Sequence, residues 1–191
     1  MALKHFSIQK IPQTPWKNGG GLSREIMSWP PGESDFEWRA SVATIAATGP
    51  FSVFPGVERT IVVLDGGGVV LKSDDGGIDH RLEQPLRPFR FNGEKALTAT
   101  LIGGESTDFN FMTRRSKWRA QVEFTSVISA LPPMERGLVF CAKGAFSIDA
   151  AGPLAEGDGV WWEGERMSMR AAPAKPGSSL MIVRLKPADG A

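Results

Sequence analysis

Residues 59–71 read Arg-Thr-Ile-Val-Val-Leu-Asp-Gly-Gly-Gly-Val-Val-Leu. Arg59 to Leu64 is rich in β-branched residues, which fit a pleated, half-buried surface, and reads as a strand. Asp65-Gly66-Gly67-Gly68 reads as a hairpin turn, where glycine supplies positive φ. Val69 to Leu71 returns as a second strand. A similar pattern stands at 137–149, where an apolar run from Gly137 to Ala142 meets a Lys143-Gly144 turn and Ala145 to Asp149 follows. Phe91-Asn92-Gly93-Glu94 and Trp162-Glu163-Gly164-Glu165 also look alike. Two degenerate repeats of six to eight strands fit these similarities.

Working outward, the same signature continues. Residues 1–11 read as a first strand, and Trp16-Lys17-Asn18-Gly19-Gly20-Gly21 as an Asn-Gly type turn. Phe36 to Ile45 alternates: Trp38, Ala40, Val42 and Thr44 point one way, and Arg39, Ser41, Ala43 and Ile45 the other. The 22 glycines and 14 prolines among 191 residues exceed ordinary usage and are spread along the chain. That spread suits many short strands joined by turns and argues against long helices. The expected class is all-β.

The bulk numbers exclude several functions. A net charge of +1 gives no electrostatic footprint for nucleic acid or a membrane surface. No apolar run approaches the ~18 residues of a membrane span, and the N-terminus has no long apolar region of the secretory kind. The single cysteine, Cys141, cannot form an internal disulfide, which points to a reducing, cytoplasmic location. It sits in an apolar run and reads as a buried core thiol. His5 and His80, the two histidines, stand in unrelated segments and are a poor supply of metal ligands. Neither Gly-rich loop fits a phosphate-binding or dinucleotide-binding motif, and there is no G-x-S-x-G elbow.

Charged residues inside strands remain. Arg39 lies in mid-strand beside Ser41, and Arg59 begins the most hydrophobic strand of the chain. A charge on an inner strand face is costly unless it is paired or faces a wet cavity. Two readings follow. Either Arg39 or Arg59 pairs with Asp108 or Glu58 as internal glue, or the arginines grip a carboxylate by bidentate hydrogen bonds. Spacing alone leaves both open.

The run Pro15-Trp16-Lys17-Asn18-Gly19-Gly20-Gly21-Leu22-Ser23-Arg24-Glu25-Ile26 resembles the HutD/Ves family. So do Phe36-Glu37-Trp38-Arg39-Ala40-Ser41, Gly49-Pro50-Phe51-Ser52, Phe54-Pro55-Gly56-Val57-Glu58-Arg59 and Asp108-Phe109-Asn110-Phe111-Met112-Thr113-Arg114-Arg115. The blocks stand in the family's order across about residues 6–115. The resemblance implies a bicupin, two cupin-like β-barrels packed as one unit, spanning 1–113 and 114–191 with N-terminal strands able to cross between them. It also implies association with histidine utilisation or its control, with no established catalytic activity. A metal-binding cupin carries a His-x-His-x-x-x-Glu run before its hairpin. Counting back from Val63-Leu64-Asp65-Gly66 puts Arg59 at or next to the carboxylate, and Val53 and Pro55 near the two histidines. In the second half Val160-Trp161-Trp162 supplies no histidine. Both barrels are therefore expected to be metal-free, with no cofactor, and an arginine where a cupin places an anionic ligand turns a cation site into an anion site.

The expected function is a non-catalytic binding protein or regulator that takes a small anionic metabolite, urocanate-like or formylglutamate-like, into the first barrel. Arg59 and Arg39 are expected to hold the carboxylate, Lys17 and Asn18 to cover the mouth, and Ser41 and Asn110 to supply hydrogen bonds. Trp16 or Phe54 would stack on a flat ligand, and Asp108 belongs to the same set. The expected partner is a small carboxylate metabolite, with a second copy of the chain as a further candidate. Two alternatives stand: a metal-independent isomerase or hydrolase with Asp108 or Glu58 as base, and a protein-interaction module using an exposed patch at Trp161-Trp162.

Overall fold

The computed structural model describes residues 3–188. It is built almost entirely of strands, with one 3-10 turn at Ile8–Lys10. The chain forms two compact units. One contains Pro12–Trp118, and the other joins residues 3–11 to Arg119–Pro187. Residues 3–11 thus cluster with the later unit. The first strand is shorter than the expected 1–11: it runs Lys4–Ser7 and lies antiparallel to Asp158–Trp162, His5 opposite Val160.

Each unit has two sheets. In the unit containing residues 12–118, a six-stranded sheet has the order Thr14–Pro15, Gly21–Trp29, Trp38–Ile45, Ser106–Arg114, Val57–Gly66, Phe89–Asn92. A four-stranded sheet has the order Gly49–Pro50, Leu97–Leu101, Val69–Ser73, Asp79–Leu82. In the other unit the corresponding orders are Lys4–Ser7, Asp158–Trp162, Gly137–Lys143, Ser179–Pro187, Trp118–Thr125, and Ser129–Met134, Met167–Pro173, Ala145–Ile148, Gly152–Ala155. Remove the N-terminal strands and both units pair eight strands in one and the same order. The repeat is therefore carried by topology, where the sequence shows only scattered likenesses.

The two expected hairpins are not hairpins. Val57–Gly66 and Val69–Ser73 lie in different sheets, as do Gly137–Lys143 and Ala145–Ile148. The glycines turn a corner from one sheet into the other. A Cβ on Gly67 would stand 1.6 Å from the Ile102 carbonyl oxygen, and one on Gly68 would stand 2.1 Å from that of Leu82. These glycines are required by close backbone approach as much as by φ.

Between the sheets of the first unit, Ile45, Ile61, Val63 and Phe91 pack with Val69, Leu71, Leu82, Leu97 and Ala99. In the second unit, Val139, Cys141, Val160, Trp162, Leu180 and Ile182 pack with Leu131, Phe146, Ile148 and Met169. Cys141 is fully buried, and burial above all pushes its thiol up to about 11. Trp161 and Trp162 are buried too, at 7% and 2% exposure, so no exposed tryptophan patch exists there.

Candidate functional site

The six-stranded sheet fixes which side chains share its inner face. Arg39 lies opposite Met112, and Met112 opposite Arg59. Arg59 in turn lies opposite Phe91. One inward step along, Ser41, Asn110 and Ile61 form the next row, and Ala43, Asp108 and Val63 the row after that. Since residues directly opposite point to the same face, Arg59, Arg39, Asn110, Ser41 and Asp108 all face the interior with Ile61 and Val63. Arg39 and Ser41 were expected to share a face, and they do.

Arg59 is the centre of this group. Only 6% of it is exposed. One Nη donates to Asn110 Oδ1 at 2.8 Å and the other to the Ser52 carbonyl at 3.3 Å. The guanidinium lies over three rings: Phe51 at 5.1 Å, Phe91 at 5.1 Å and Phe54 at 5.6 Å. Such ring faces attract a cation without neutralising it. Its Nε has no hydrogen-bond partner, and none of the ion pairs among the described residues uses it. Burial, then the neighbouring charge of Arg39, lowers its pKa to about 10, so it stays a cation at neutral pH.

Arg39 borders the same space, with its guanidinium 5.9 Å over Phe36. It is about a quarter exposed, and its Nε stands 2.7 Å from Glu25 Oε2. The pair is close but too poorly aligned to count as a hydrogen bond. Glu25, opposite Ser41 just before a register shift, escaped the sequence analysis, since a bulge hides which way a strand residue points. Neither arginine pairs with Asp108 or Glu58, as the internal-glue reading expected; Arg39 pairs with Glu25 instead. Glu58 pairs with Arg90 at 3.6 Å, and Asp108 accepts a hydrogen bond from Ser106 at 2.6 Å.

Asp108 is fully buried, and its Oδ2 has no partner. Burial pushes its carboxyl up to about 6, against the pull of the Ser106 hydroxyl.

The turn at 16–21 sits outside this inner group. Lys17 and Asn18 are exposed. Asn18 caps its own turn by accepting from the Gly20 amide at 3.0 Å, and its Nδ2 reaches the Pro50 carbonyl at 3.5 Å. Trp16 donates to Ser23 at 2.7 Å and meets Phe51 edge-on at 6.3 Å. Trp16 and Asn18 therefore brace the 50–52 segment, which supplies Phe51 and the Ser52 carbonyl to Arg59. Phe51, Phe91 and the Ser52 carbonyl were missed as site groups. Phe51 stood inside a quoted block and could have been found there; Phe91 is brought to Arg59 only by strand pairing.

Among the described residues, no group of three or more His, Cys, Asp or Glu could hold a metal ion. His80 stacks on Phe89 at 3.8 Å. Among the same described residues, no helix is long and apolar enough to cross a membrane.

This inner face belongs to a chain whose residues 8–181 match the HutD family model. The chain belongs to the HutD family. Protein Ves of Citrobacter koseri is 39% identical over 164 residues, which cover 85% of each chain. The structure of HutD from Pseudomonas fluorescens SBW25, solved in a formate condition, superposes with a TM-score of 0.86 at 27% identity, covering 97% of this chain and 99% of that one. A conserved protein of unknown function from Pseudomonas aeruginosa gives a TM-score of 0.82 at 29% identity, covering 97% and 98%. HutD membership accounts for the order of the sequence blocks around Trp16, Arg39, Arg59 and Asn110.

Proposed function

We propose that this protein binds a small carboxylate between Arg59 and Arg39 on the inner face of its first cupin-like barrel, and that it acts as a binding protein or regulator in histidine utilisation. One observation carries the reading: Arg59 is a nearly fully buried cation with no anionic partner. A buried charge without a counter-ion is among the costliest features a core can hold. A bound carboxylate would supply the missing charge, and the planar guanidinium is suited to a two-pronged contact with it. Asn110 and Ser41 supply hydrogen bonds beside the cations. Phe54 and its neighbours offer ring faces to a flat or apolar body. Lys17 lies at the exposed turn, with Asn18 and Trp16 holding the segment behind it. Urocanate-like and formylglutamate-like molecules fit the family context.

The test is thermal stabilisation by a panel of small carboxylates. At about 100 times its Kd a ligand stabilises by roughly 2.7 kcal/mol. Arg59→Ala should fold and lose that shift, and Arg59→Lys should recover only part of it, because an ammonium cannot make the two-pronged contact. A variant that retains the full shift removes Arg59 from the site. A metal-independent enzyme using Asp108 as base has one observation in its favour, the carboxyl pushed up to about 6; turnover of a stabilising ligand would select it.

A further inference from the structure

The inner face holds a second unmet charge, of the opposite sign. Asp108 is wholly buried, Ser106 occupies one of its oxygens, and the other has no partner. The residues opposite it are Ala43 and Val63, both apolar. Arg59 and Asp108 would neutralise each other if they met. They do not meet: Arg59 stops at Asn110 Oδ1, and Asp108 is one inward position further along the same strand, about 6.6–7 Å on. The strand therefore presents a row of cation, amide and anion, with the two charges held apart and each lacking its complement.

We propose that Asp108 is a specificity-determining residue of this site. It selects ligands that carry a carboxylate at one end and an ammonium or N–H donor about 6–8 Å away. The carboxylate meets Arg59 and Arg39, Asn110 lies alongside the middle of the ligand, and the donor meets Asp108 Oδ2. The inference rests on the carboxylate reading of Arg59. A ligand with no donor leaves Asp108 buried and unmet, and one with a second anion at that end places two carboxylates together. Both are penalties that discriminate more strongly than the loss of an apolar contact.

Three six-atom chains test this: 5-aminopentanoate, hexanoate and adipate. They share one carboxylate and place an ammonium, a methyl or a second carboxylate at the far end. Isothermal titration at pH 7.5 is expected to rank wild type 5-aminopentanoate, then hexanoate, then adipate, with about tenfold or more between the first two. Asp108→Asn, which keeps the shape and removes the charge, is expected to bring all three within about threefold. If wild type binds hexanoate as tightly as 5-aminopentanoate, or the preference survives in Asp108→Asn, the role of Asp108 is overturned and the carboxylate grip stands. If wild type binds none of the three at millimolar concentration, the grip itself falls and takes this inference with it. Should Asp108→Asn fail to fold, the wild-type ranking alone still decides.

Discussion

The two units pair eight strands in the same order and finish the same position in opposite ways. In the first, the row Met112, Arg59, Phe91 puts a guanidinium among rings, donating to the Ser52 carbonyl at 3.3 Å. In the second, the equivalent row is Arg184, Gly137, Trp162. Where Arg59 stands in one there is a glycine in the other, and the partner's indole fills the space. A Cβ on Gly137 would be 2.7 Å from the Trp162 ring. The indole Nε1 donates to the Met134 carbonyl at 3.0 Å, so it too ends on a backbone oxygen, here one at the end of a strand of the four-stranded sheet. Arg184, now flanking a glycine, pairs with Glu123. One frame thus accepts either a neutral indole whose single polar group is met or a cation left without an anion. The second unit shows that the frame does not need the charge, and this supports the role proposed for Arg59.

The sharpest way to break the comparison is to pull the plug. Trp162→Ala should cost about 3–5 kcal/mol, from the lost ring and the orphaned Met134 carbonyl, measured by chemical denaturation. A loss below ~1 kcal/mol would mean that the second unit is not closed by its tryptophan. Next comes Asp108→Asn. The folded carboxyl titrates near 6, above its ordinary value of about 3.9. Asp108's own contribution to stability is therefore fullest below about pH 4 and is lost as pH rises through 6. The variant should be more stable than wild type by about 2–3 kcal/mol at pH 8, and that gain should fade towards pH 4. Equal melting temperatures at pH 8 would show that Asp108 finds a partner in solution.

Adding a methyl to the closed site should matter less but still register. Gly137→Ala pushes on a ring pinned by its own hydrogen bond, and overpacking of this kind costs about 1–3 kcal/mol. The smallest effect belongs to Glu25→Gln. A half-exposed pair contributes about 0–1 kcal/mol, so stability should barely move. With Arg39 released, hexanoate should bind severalfold more tightly; weaker binding would assign Glu25 to the ligand instead of to Arg39.

Much of this arrangement was legible in the residues, for reasons that differ by residue. Period-two alternation put Arg39 and Ser41 on one face, and the apolar run around Cys141 marked a buried thiol. The rest depended on pairing, which a single sequence does not carry. Nothing local says that Phe91 lies opposite Arg59, or that a bulge turns Glu25 towards Arg39. The Gly66–Gly68 corner looked like a hairpin because glycine serves both purposes: a tight turn within a sheet and the close passage of one backbone past another. The gap between Asp108 and Arg59 depends on the reach of one side chain, and spacing along the chain is silent on that.

The first strand carries a consequence for synthesis. Lys4–Ser7 is an edge of a sheet whose neighbour, Asp158–Trp162, is made near the other end of the chain. At 5–20 residues per second a ribosome takes on the order of ten to thirty seconds to reach it. Residues 12–118 emerge complete in that interval, while the N-terminal segment waits without its hydrogen-bonding partner. An exposed strand edge invites other chains, and this one leaves the tunnel long before its neighbour. Its lysine and histidine, both exposed, are the kind of side chains that keep an unpaired edge solitary until its neighbour arrives.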